Sequence, residues 1–419
     1  MSRSTTGKLD WVSILLYFLL VGIGWINIYS ASLSEQSTSL LDFNQPYGRQ
    51  LIFIICSLVL IVLVLSIEAK FYERFASIFY IISLVSLLGL FLFGKNISGA
   101  TSWYSFGGMS LQPSEFAKAA TALALAKYIS DIQTNMKLLG SQLRAFLIIF
   151  LPALFIVPQP DPGSALVFAS FFFVLHREGV SANYLWFGLL TVSLFIGTLL
   201  IGSLLVSIVA AVILIIAFFI SKRKNKRRKL APFLIAIVFT TGFAYASNYI
   251  FNDVFEQRHR DRFNIVLGKS VDTKGIGYNT NQSQIAIGSG GFTGKGFLEG
   301  TQTKGGFVPE QHTDYIFSTV GEEWGFLGST LVVALFIILL LRLITLAERQ
   351  KSQFSRVVGY GVVSVLFIHF AINIGMVIGL LPTIGIPLPF FSYGGSGLWG
   401  FTILLFIFLK LDSNRINEW

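Results

Sequence analysis

Residues 51–66 read LIFIICSLVLIVLVLS, a run without a single charged side chain. A membrane-spanning helix needs about 20 mostly apolar residues, so this stretch and its flanks predict a span over 48–67. The whole chain has the same character, since 54% of its 419 residues are hydrophobic, 12% are charged and the mean hydropathy is +0.71. This composition excludes an ordinary soluble domain and predicts an all-α polytopic integral membrane protein.

About twelve segments of the chain approach the length of a membrane span. The apolar run from Asn183 to Ile220 is too long for one span, and the glycines of IGTLLIGS at 196–203 predict a tight reversal within it. The predicted spans are 11–31, 48–67, 72–94, 112–130, 141–157, 163–179, 183–201, 203–220, 231–250, 314–345, 356–380 and 391–410. We expect them to form one membrane domain over 1–419.

The amino terminus and the cysteine content exclude two classes of protein. The segment MSRSTTGKLD leads into an apolar stretch without a small-residue cleavage signature, so we expect a retained first span instead of a signal peptide. Cys56 is the only cysteine, which excludes an intramolecular disulfide and a cysteine-rich metal site. The four histidines, at 176, 259, 312 and 369, have no metal-site spacing.

Basic residues predict the orientation of the spans. An excess of Lys and Arg marks cytoplasmic loops, and the strongest cluster, SKRKNKRRK at 221–229, follows the eighth predicted span. Further basic segments at 68–74 and 342–356 follow the second and tenth spans. All three are cytoplasmic if both termini are cytoplasmic. The net charge of +10 then reflects topology and attraction to anionic lipids, and nucleic-acid binding is not expected.

This orientation places four polar segments on the outer side, at 95–111, 158–163, 251–313 and 381–391. The segment 251–313 is the largest, and connections of this length are usually functional. Its stretch SGGFTGKG at 289–296 resembles a phosphate-binding P-loop but lacks the first glycine and the final Ser or Thr. Two interpretations stay open for it: backbone amides that bind a pyrophosphate, or a flexible surface turn.

The segment SGATSWYSFGGMSLQPSEFAK at 98–118 leads into the fourth predicted span. Pro113 suits the first turn of a helix, and Glu115 and Lys118 are three residues apart, so they share a helix face and can pair. Ionisable residues at membrane depth often mark a functional site, and a purely structural ion pair is the alternative.

Two further outward segments are rich in proline. In VPQPDPGSA at 157–165, prolines flank Asp161 and either fix it in a turn or leave it as a helix N-cap. The segment NIGMVIGLLPTIGIPLPFFSYGGSG at 373–397 predicts a broken helix or re-entrant backbone that lines a cavity, because free backbone groups cannot face lipid. An ordinary tight turn is the alternative for 373–397.

The stretch VPEQHTDYIFSTVGEEWGF at 308–326 places Asp314 directly before the tenth predicted span. Either Thr313 or Asp314 could cap that helix, and a functional carboxylate is the other interpretation. Glu322 and Glu323 follow about two helical turns deeper. We expect at least one of them to face the protein interior, because a carboxylate that faces lipid is costly.

Several of these motifs occur together, in order, over nearly the whole chain. They are GATSW, QPSEFAK, QPDPG, QSQIAIGSGGFTGKGFLEGTQ, VPEQHTDYIF, GEEWGF, NIGMVIGLLP and GIPLPFFSYGGSG. Together they resemble the SEDS family (shape, elongation, division and sporulation), the RodA and FtsW type. The segments GSGGFTGKGFLEGTQ and PEQHTDYIF look closer to the RodA elongation branch than to the division branch.

The resemblance implies a peptidoglycan glycosyltransferase that polymerises lipid II at the outer face of the bacterial cytoplasmic membrane. It also implies a class B penicillin-binding protein as partner, within the cell-wall elongation machinery. We expect Asp314 to act as the general base. Candidate groups that neutralise the leaving undecaprenyl pyrophosphate are Arg258, Arg260, Arg262 and Lys295, with a divalent Mg²⁺ or Mn²⁺ ion as a candidate cofactor.

Five other residues are expected to bind substrate or to shape its cavity. The pair of Glu115 and Lys118 would form the cavity floor, and Trp103 and Gln112 would stack on and hydrogen-bond to sugars at the rim. Asp161 is the fifth candidate. A transporter that flips lipid II is the alternative function, because many spans, a buried ion pair and helices broken by Gly and Pro also suit transport. A division-type polymerase and a non-enzymatic scaffold are further alternatives.

The chain departs from the family pattern in two respects. Relatives commonly have about ten spans, whereas the region 183–250 is predicted to hold three where one is usual, and this implies an inserted hairpin with the basic loop 221–229. Ser102 also stands where relatives often have arginine, and Ser110 and Leu111 stand where a basic residue often precedes QPSE. If that basic residue helps relatives to hold the substrate pyrophosphate, another cation must do so in this chain. Pro162 replaces a more usual leucine.

Overall fold

The computed structural model describes residues 9–33, 42–97, 99–107, 109–131, 134–224, 229–255, 257–267, 269 and 277–415. In chain order the helices are α1 (Trp11–Ser32), α2 (Pro46–Ser66), α3 (Ala69–Phe93), α4 (Pro113–Ser130), α5 (Leu139–Ile156), α6 (Pro162–Phe168), α7 (Phe172–Arg177), α8 (Asn183–Ile201), α9 (Ser203–Lys224), α10 (Ala231–Tyr249), α11 (Gln257–Val266), α12 (Tyr278–Ser289), α13 (Thr301–Lys304), α14 (Ile316–Glu348), α15 (Gln353–Val377) and α16 (Gly395–Asn414). The strands are β1 (Lys95–Ile97), β2 (Ala100–Phe106) and β3 (Met109–Leu111).

The predicted multi-pass membrane protein is confirmed. Within the described part of the chain, ten helices are long and apolar enough to cross a membrane, namely α1, α2, α3, α5, α8, α9, α10, α14, α15 and α16. The predicted span 112–130 is present as α4, which is rich in alanine and carries the charged side chains of Glu115 and Lys118. The predicted span 163–179 is shorter and interrupted, because a 3₁₀ turn at Ala169–Phe171 separates α6 from α7.

The chain divides into two compact units, Met1–Val180 with Tyr278–Trp419 and Ser181–Gly277. The domain assignment over 1–419 stays a prediction. In the first unit, α4 packs against α3, α5, α15 and α16. Small residues allow these close approaches. For example, an added Cβ at Gly361 of α15 would lie 3.1 Å from the Cβ of Ala122.

The all-α expectation misses one small sheet. The predicted outward loop 95–111 folds into three antiparallel strands in the order β1-β2-β3. Trp103 of β2 pairs with Lys95 of β1. The reason lies in the sequence ATSWYSF of β2, in which Thr, Trp, Tyr and Phe favour extended backbone.

In the second unit, α8, α9 and α10 pack on one another around Leu194, Val206 and Ala244. The predicted reversal between two spans lies at Gly202, whose φ of 87° suits glycine. Of the basic loop 221–229, the first residues belong to the end of α9, and 225–228 lie outside the described residues. The predicted long loop 251–313 is not a single irregular segment, because it contains α11, α12 and α13.

The helix α14 is broken near its start. Gly325 has φ 62° and ψ −156°, a conformation that interrupts the helix and that residues with a side chain avoid. The glycine-rich segment beside it repairs the break, since Phe326 donates its N–H to the carbonyl of Gly291 at 3.0 Å and Leu327 to that of Phe292 at 3.1 Å. The first turns of α14 therefore depend on a loop that precedes them in the chain.

Candidate active site

Asp314 lies in the turn that precedes α14, and it is half-buried. Its backbone carbonyl accepts a hydrogen bond from Nδ2 of Asn373 at 2.8 Å. An added Cβ at Gly385 would lie 3.5 Å from Oδ2 of Asp314. The carboxylate is therefore placed against the backbone of the segment that follows α15.

The capping interpretation of this turn is wrong for Thr313. The N-cap of α14 is Tyr315, whose side chain makes no capping hydrogen bond. The hydroxyl of Thr313 donates instead to the carbonyl of Glu310 at 3.1 Å and to its Oε2 at 2.9 Å. Thr313 lies two residues before this N-cap, and its hydroxyl bonds back to Glu310 instead of capping α14.

His312 lies in the same turn, and its ring packs edge-on against Tyr393, with 5.4 Å between ring centroids. Its carbonyl accepts the N–H of Tyr393 at 2.9 Å. Burial lowers the pKa of His312 from its usual value, although the negative charge of Glu310 opposes this shift. The imidazole is therefore neutral at pH 7.

The predicted pair of Glu115 and Lys118 is present in α4. Nζ of Lys118 lies 2.7 Å from Oε1 of Glu115, and the side chains are only 1% and 4% exposed. The same Nζ lies 2.9 Å from Nε2 of His369 and 4.9 Å above the ring of Phe401. The second carboxylate oxygen, Oε2 of Glu115, is buried without a hydrogen-bond partner among the described residues.

Gln112 and Asp161 join the starts of α4 and α6. Nε2 of Gln112 donates to Oδ2 of Asp161 at 2.9 Å. Oδ1 of Asp161 accepts the N–H of Ser164 at 3.0 Å, so Asp161 caps α6, which confirms one of its two sequence interpretations. Gly163 of α6 packs on the carbonyl of Ile384, because a Cβ there would lie 2.8 Å from that oxygen.

The segment 381–391 contacts Asp314 and the helices α6 and α15. It adjoins Asp314 at Gly385, α6 at Ile384 and α15 through the carbonyls of Ile386 and Pro387. The hydroxyl of Thr383 in this segment forms a triangle with those of Tyr315 and Thr280, with separations of 2.8, 3.1 and 3.2 Å. Of the predicted site residues, Asp314 lies against this segment, and Lys118 with its partner Glu115 reaches it through His369. Gln112 and Asp161 lie at the start of α6, which packs on the segment at Gly163.

Trp103 is half-buried in β2. The neighbouring residues Thr101 and Ser102 bond to the carbonyl of Gln159, at 3.2 and 3.4 Å, and hold the strand against the turn that leads to Asp161. Ser102 is buried at this contact. A role for Trp103 in sugar stacking stays a prediction.

Lys295 lies at a different place, beside α14. Its Nζ is 2.7 Å from Oε1 of Glu322, whose side chain is fully buried. The backbone N–H groups of Gln302 and Thr303 and the hydroxyl of Thr303 also donate to this carboxylate, at 2.9, 2.8 and 2.8 Å. Glu322 therefore anchors the glycine-rich segment, and the expectation that a carboxylate of α14 faces the interior is confirmed.

The backbone amides of the glycine-rich segment are already engaged. The N–H groups of Gly294, Lys295 and Gly296 donate to the carbonyls of Gly290, Glu322 and Glu323 at 2.9, 3.0 and 3.0 Å. These three amides are therefore not free to bind a pyrophosphate. The N–H groups of Lys295 and Gly296 occupy two carbonyls of α14 next to the break at Gly325.

The arginines of the prediction lie in α11 of the second unit. Arg260 donates to the carbonyl of Asn252 and Arg262 is partly buried. The side chain of Arg258 lies outside the described residues. Contact of these arginines with a pyrophosphate stays a prediction.

The described residues include no group of three or more His, Cys, Asp or Glu side chains that could hold a metal ion. A Mg²⁺ ion commonly needs only one or two protein carboxylates when substrate phosphates and water complete its coordination. The side chains on their own therefore do not build a metal site in the described part of the chain.

Comparison with known proteins places these features in a family. A family model described as "cell cycle protein", which covers the FtsW, RodA and SpoVE proteins, matches residues 10–417. The chain belongs to the FtsW/RodA/SpoVE family. The SEDS resemblance is thereby confirmed, and the relatives named MrdB and RodA support its RodA-type branch.

Two curated relatives of this family member carry functional names. The peptidoglycan glycosyltransferase MrdB of Escherichia coli strain K12 is 34% identical over 391 residues, which cover 93% of this chain and 90% of MrdB. The peptidoglycan glycosyltransferase RodA of Treponema pallidum is 28% identical over 439 residues, 97% of this chain and 98% of that protein.

A solved structure from work on polymerization and crosslinking by a peptidoglycan synthase complex is also similar. It covers 98% of this chain and 99% of its own, with a TM-score of 0.73 and 24% sequence identity. This likeness supports the SEDS-type fold of the protein.

Sequence reasoning gave no role to two polar residues of α15 that contact this site, His369 and Asn373. They stand four residues apart in the otherwise apolar segment VLFIHFAINIGMV. That spacing puts both on one helix face, and a polar pair inside a membrane helix is a signal that could have identified them.

Proposed function

We propose that this FtsW/RodA/SpoVE family member polymerises lipid II into β-1,4-linked glycan strands and releases undecaprenyl pyrophosphate. It is a peptidoglycan glycosyltransferase of the RodA type that serves cell-wall elongation. The observation that carries the proposed mechanism is the placement of Asp314. This half-buried residue lies just before the membrane helix α14, and its carboxylate lies against Gly385.

In the proposed reaction, Asp314 takes the proton from the 4-hydroxyl of the acceptor N-acetylglucosamine. The acceptor oxygen forms a bond to the anomeric carbon of the donor, with inversion, and the bond from that carbon to the phosphate oxygen breaks. The electron pair of that bond leaves with undecaprenyl pyrophosphate. A positioned base contributes about 10²–10⁴-fold to such a rate.

The leaving group needs positive charge nearby. The sequence offers Arg258, Arg260, Arg262 and Lys295 for this charge, and of these Lys295 is already paired with Glu322. A Mg²⁺ or Mn²⁺ ion would obtain most of its ligands from the substrate phosphates and water, with at most one or two carboxylates from the protein.

The membrane topology of the proposal follows from the basic segments. Their positions favour a bacterial cytoplasmic membrane protein with both termini in the cytoplasm and with Asp314 at the outer face, where the lipid II chemistry takes place. The proposed partner is a class B penicillin-binding protein of the elongation machinery, and the similar chain in a peptidoglycan synthase complex supports such an assembly.

The test is polymerisation of lipid II by purified Asp314→Asn protein with its partner. We expect a rate lower by about 10²–10⁴-fold, because an amide cannot accept the proton. Asp42→Asn is the matched control, since Oδ1 of Asp42 accepts the N–H of Asn44 at 3.0 Å and an asparagine keeps that acceptor. Glycan synthesis by Asp314→Asn at the wild-type rate would refute the mechanism.

A lipid II transporter is the second candidate, favoured by the buried pair of Glu115 and Lys118 and by the break at Gly325. Detergent-solubilised protein offers no second compartment for transport. Polymer formed from lipid II in detergent supports the glycosyltransferase, whereas flipping in vesicles without polymer formation would support the transporter.

A further inference from the structure

His369 and Asn373 share one face of α15, four residues apart. Both side chains are almost fully buried, at 1% and 0% exposure. Polar side chains at membrane depth cost free energy unless they are hydrogen-bonded, so their partners indicate what they are for.

Asn373 uses both N–H bonds of its amide on backbone carbonyls. Nδ2 donates to the carbonyl of Asp314 at 2.8 Å and to that of Ile386 at 2.7 Å. The reversed orientation of the amide would place its oxygen against two acceptors, so the chemistry permits only this one. The side chain therefore ties Asp314 to the segment that follows α15.

His369 holds the next residue of the same segment. Its Nδ1 lies 3.1 Å from the carbonyl of Pro387, and a carbonyl can only accept, so Nδ1 carries the hydrogen. In the neutral ring, Nε2 is then the acceptor and receives a hydrogen bond from Nζ of Lys118 at 2.9 Å. The ion pair of α4 thus reaches the segment through His369.

We propose that His369 and Asn373 form a positioning clamp that sets the place of the Asp314 carboxylate against Gly385. The clamp holds three backbone carbonyls, those of Asp314, Ile386 and Pro387, from one rigid helix face. Neither side chain has to touch the substrate. The proposal rests on the proposed function, in which Asp314 is the base.

Support of the Asp314 carboxylate by the clamp matters because the reaction rate falls steeply when a catalytic group is displaced. A shift of about 1 Å in a reacting group can cost about 10²-fold in rate. Gly385 has no side chain to fill the space beside Asp314, so the backbone itself must be held in place. The two adjacent carbonyls after Gly385 are the points that the clamp holds.

The experiment uses full-length protein with its partner and measures kcat and KM for lipid II. Asn373→Leu keeps the branching at Cγ and removes both donors, and we expect kcat to fall about 10²-fold while KM changes less than about 3-fold. Asn27→Leu is the control. Asn27 is also fully buried, but within the described part of the chain its Nδ2 donates to the carbonyl of Ile23 in its own helix α1, at 2.8 Å.

A double variant separates positioning from general stability. If Asn373 acts through Asp314, then adding Asn373→Leu to Asp314→Asn lowers the residual rate no further. A structural role alone would lower the rate by the same factor in both backgrounds. Should Asn373→Leu not fold, Asn373→Asp has nearly the same shape and replaces the donors by acceptors.

His369 offers a rescue test. His369→Phe removes the donor to Pro387 and should lower kcat about 10-fold. This loss is smaller than the about 10²-fold expected for Asn373→Leu, because both hydrogen bonds of Asn373 remain. His369→Asn restores a donor near the position of Nδ1 and should recover part of the rate. Equal rates for the two variants would contradict the assignment of Nδ1 as the holding group.

The outcomes distinguish the two proposals. Normal polymerisation by Asp314→Asn would end the base mechanism itself. An inactive Asp314→Asn together with wild-type kcat in Asn373→Leu would overturn the clamp alone. A raised KM with unchanged kcat in Asn373→Leu would also overturn it, because that result describes a substrate-binding residue.

Discussion

The first unit contains two acid–lysine pairs with the same separation of 2.7 Å and different surroundings. In α4, both Glu115 and Lys118 are buried, and one carboxylate oxygen of Glu115 is unpaired among the described residues. In the pair at α14, Lys295 of the glycine-rich segment is 25% exposed, and Glu322 of α14 accepts hydrogen bonds from both this lysine and the backbone that precedes α14. Distance alone therefore does not distinguish a functional pair from a structural one.

The difference between the pairs lies in how completely the acid is satisfied. A buried carboxylate with every lone pair used is an anchor, and Glu322 has the donors that its burial requires. A buried carboxylate with an unused oxygen costs free energy, and the cost suggests a role beyond stability. The pair in α4 also reaches His369 and the segment beside Asp314, whereas the pair in α14 supports the glycine-rich segment.

The largest expected effect comes from the pair in α4. Lys118→Met leaves the carboxylate of Glu115 buried without its cation, and we expect the free energy of unfolding in detergent to fall by about 3–5 kcal/mol. The double variant Lys118→Met with Glu115→Gln removes both charges and should recover most of that loss. Equal losses in the single and the double variant would show that the charge balance is not what stabilises α4.

Loss of the acid in the pair of Glu322 and Lys295 should affect mainly the backbone that donates to it. Glu322→Gln loses the charge and at least one acceptor, which costs about 1–3 kcal/mol. We expect faster hydrogen exchange at the amides of Gln302 and Thr303, which donate to this carboxylate. Glu299→Gln is the control, because Glu299 is exposed on the same segment. Unchanged exchange in Glu322→Gln would mean that the loop does not depend on its anchor.

Replacement of the lysine is expected to cost less than replacement of the acid. In Lys295→Met, Glu322 keeps its backbone and threonine donors, and the lost ion pair is partly solvent-exposed, so we expect a loss of about 1 kcal/mol. The KM for lipid II should stay unchanged if Lys295 serves only Glu322. A raised KM would instead support the earlier prediction that Lys295 neutralises the pyrophosphate.

The features of the site that depend on local spacing could be predicted from the sequence. The pairing of Glu115 with Lys118 follows from their separation along one helix, and the capping role of Asp161 follows from the proline after it. The apolar runs predict most of the membrane helices for the same reason. Local sequence determines these features, so no knowledge of distant contacts is needed.

The contacts with backbone carbonyls could not be predicted in the same way. The partners of Asn373 are the carbonyls of Asp314 and Ile386, and every residue has a carbonyl, so no sequence pattern marks them. The engagement of the glycine-rich amides depends on the break at Gly325, which only the packed structure reveals. For that reason the sequence could not show that the amides of Lys295 and Gly296 are already bonded to α14.

The smallest effect concerns His312, which extends the comparison to the turn beside Asp314. Burial lowers the pKa of His312, so the unfolded chain binds a proton more readily than the folded protein as the pH falls through about 6.5. Stability should therefore decline with falling pH in that window and level off above it. His312→Gln removes this titrating group, so the melting temperatures of the variant at pH 7.5 and pH 5.5 should differ less than those of the wild type. A difference as large as that of the wild type would assign the pH dependence to another group.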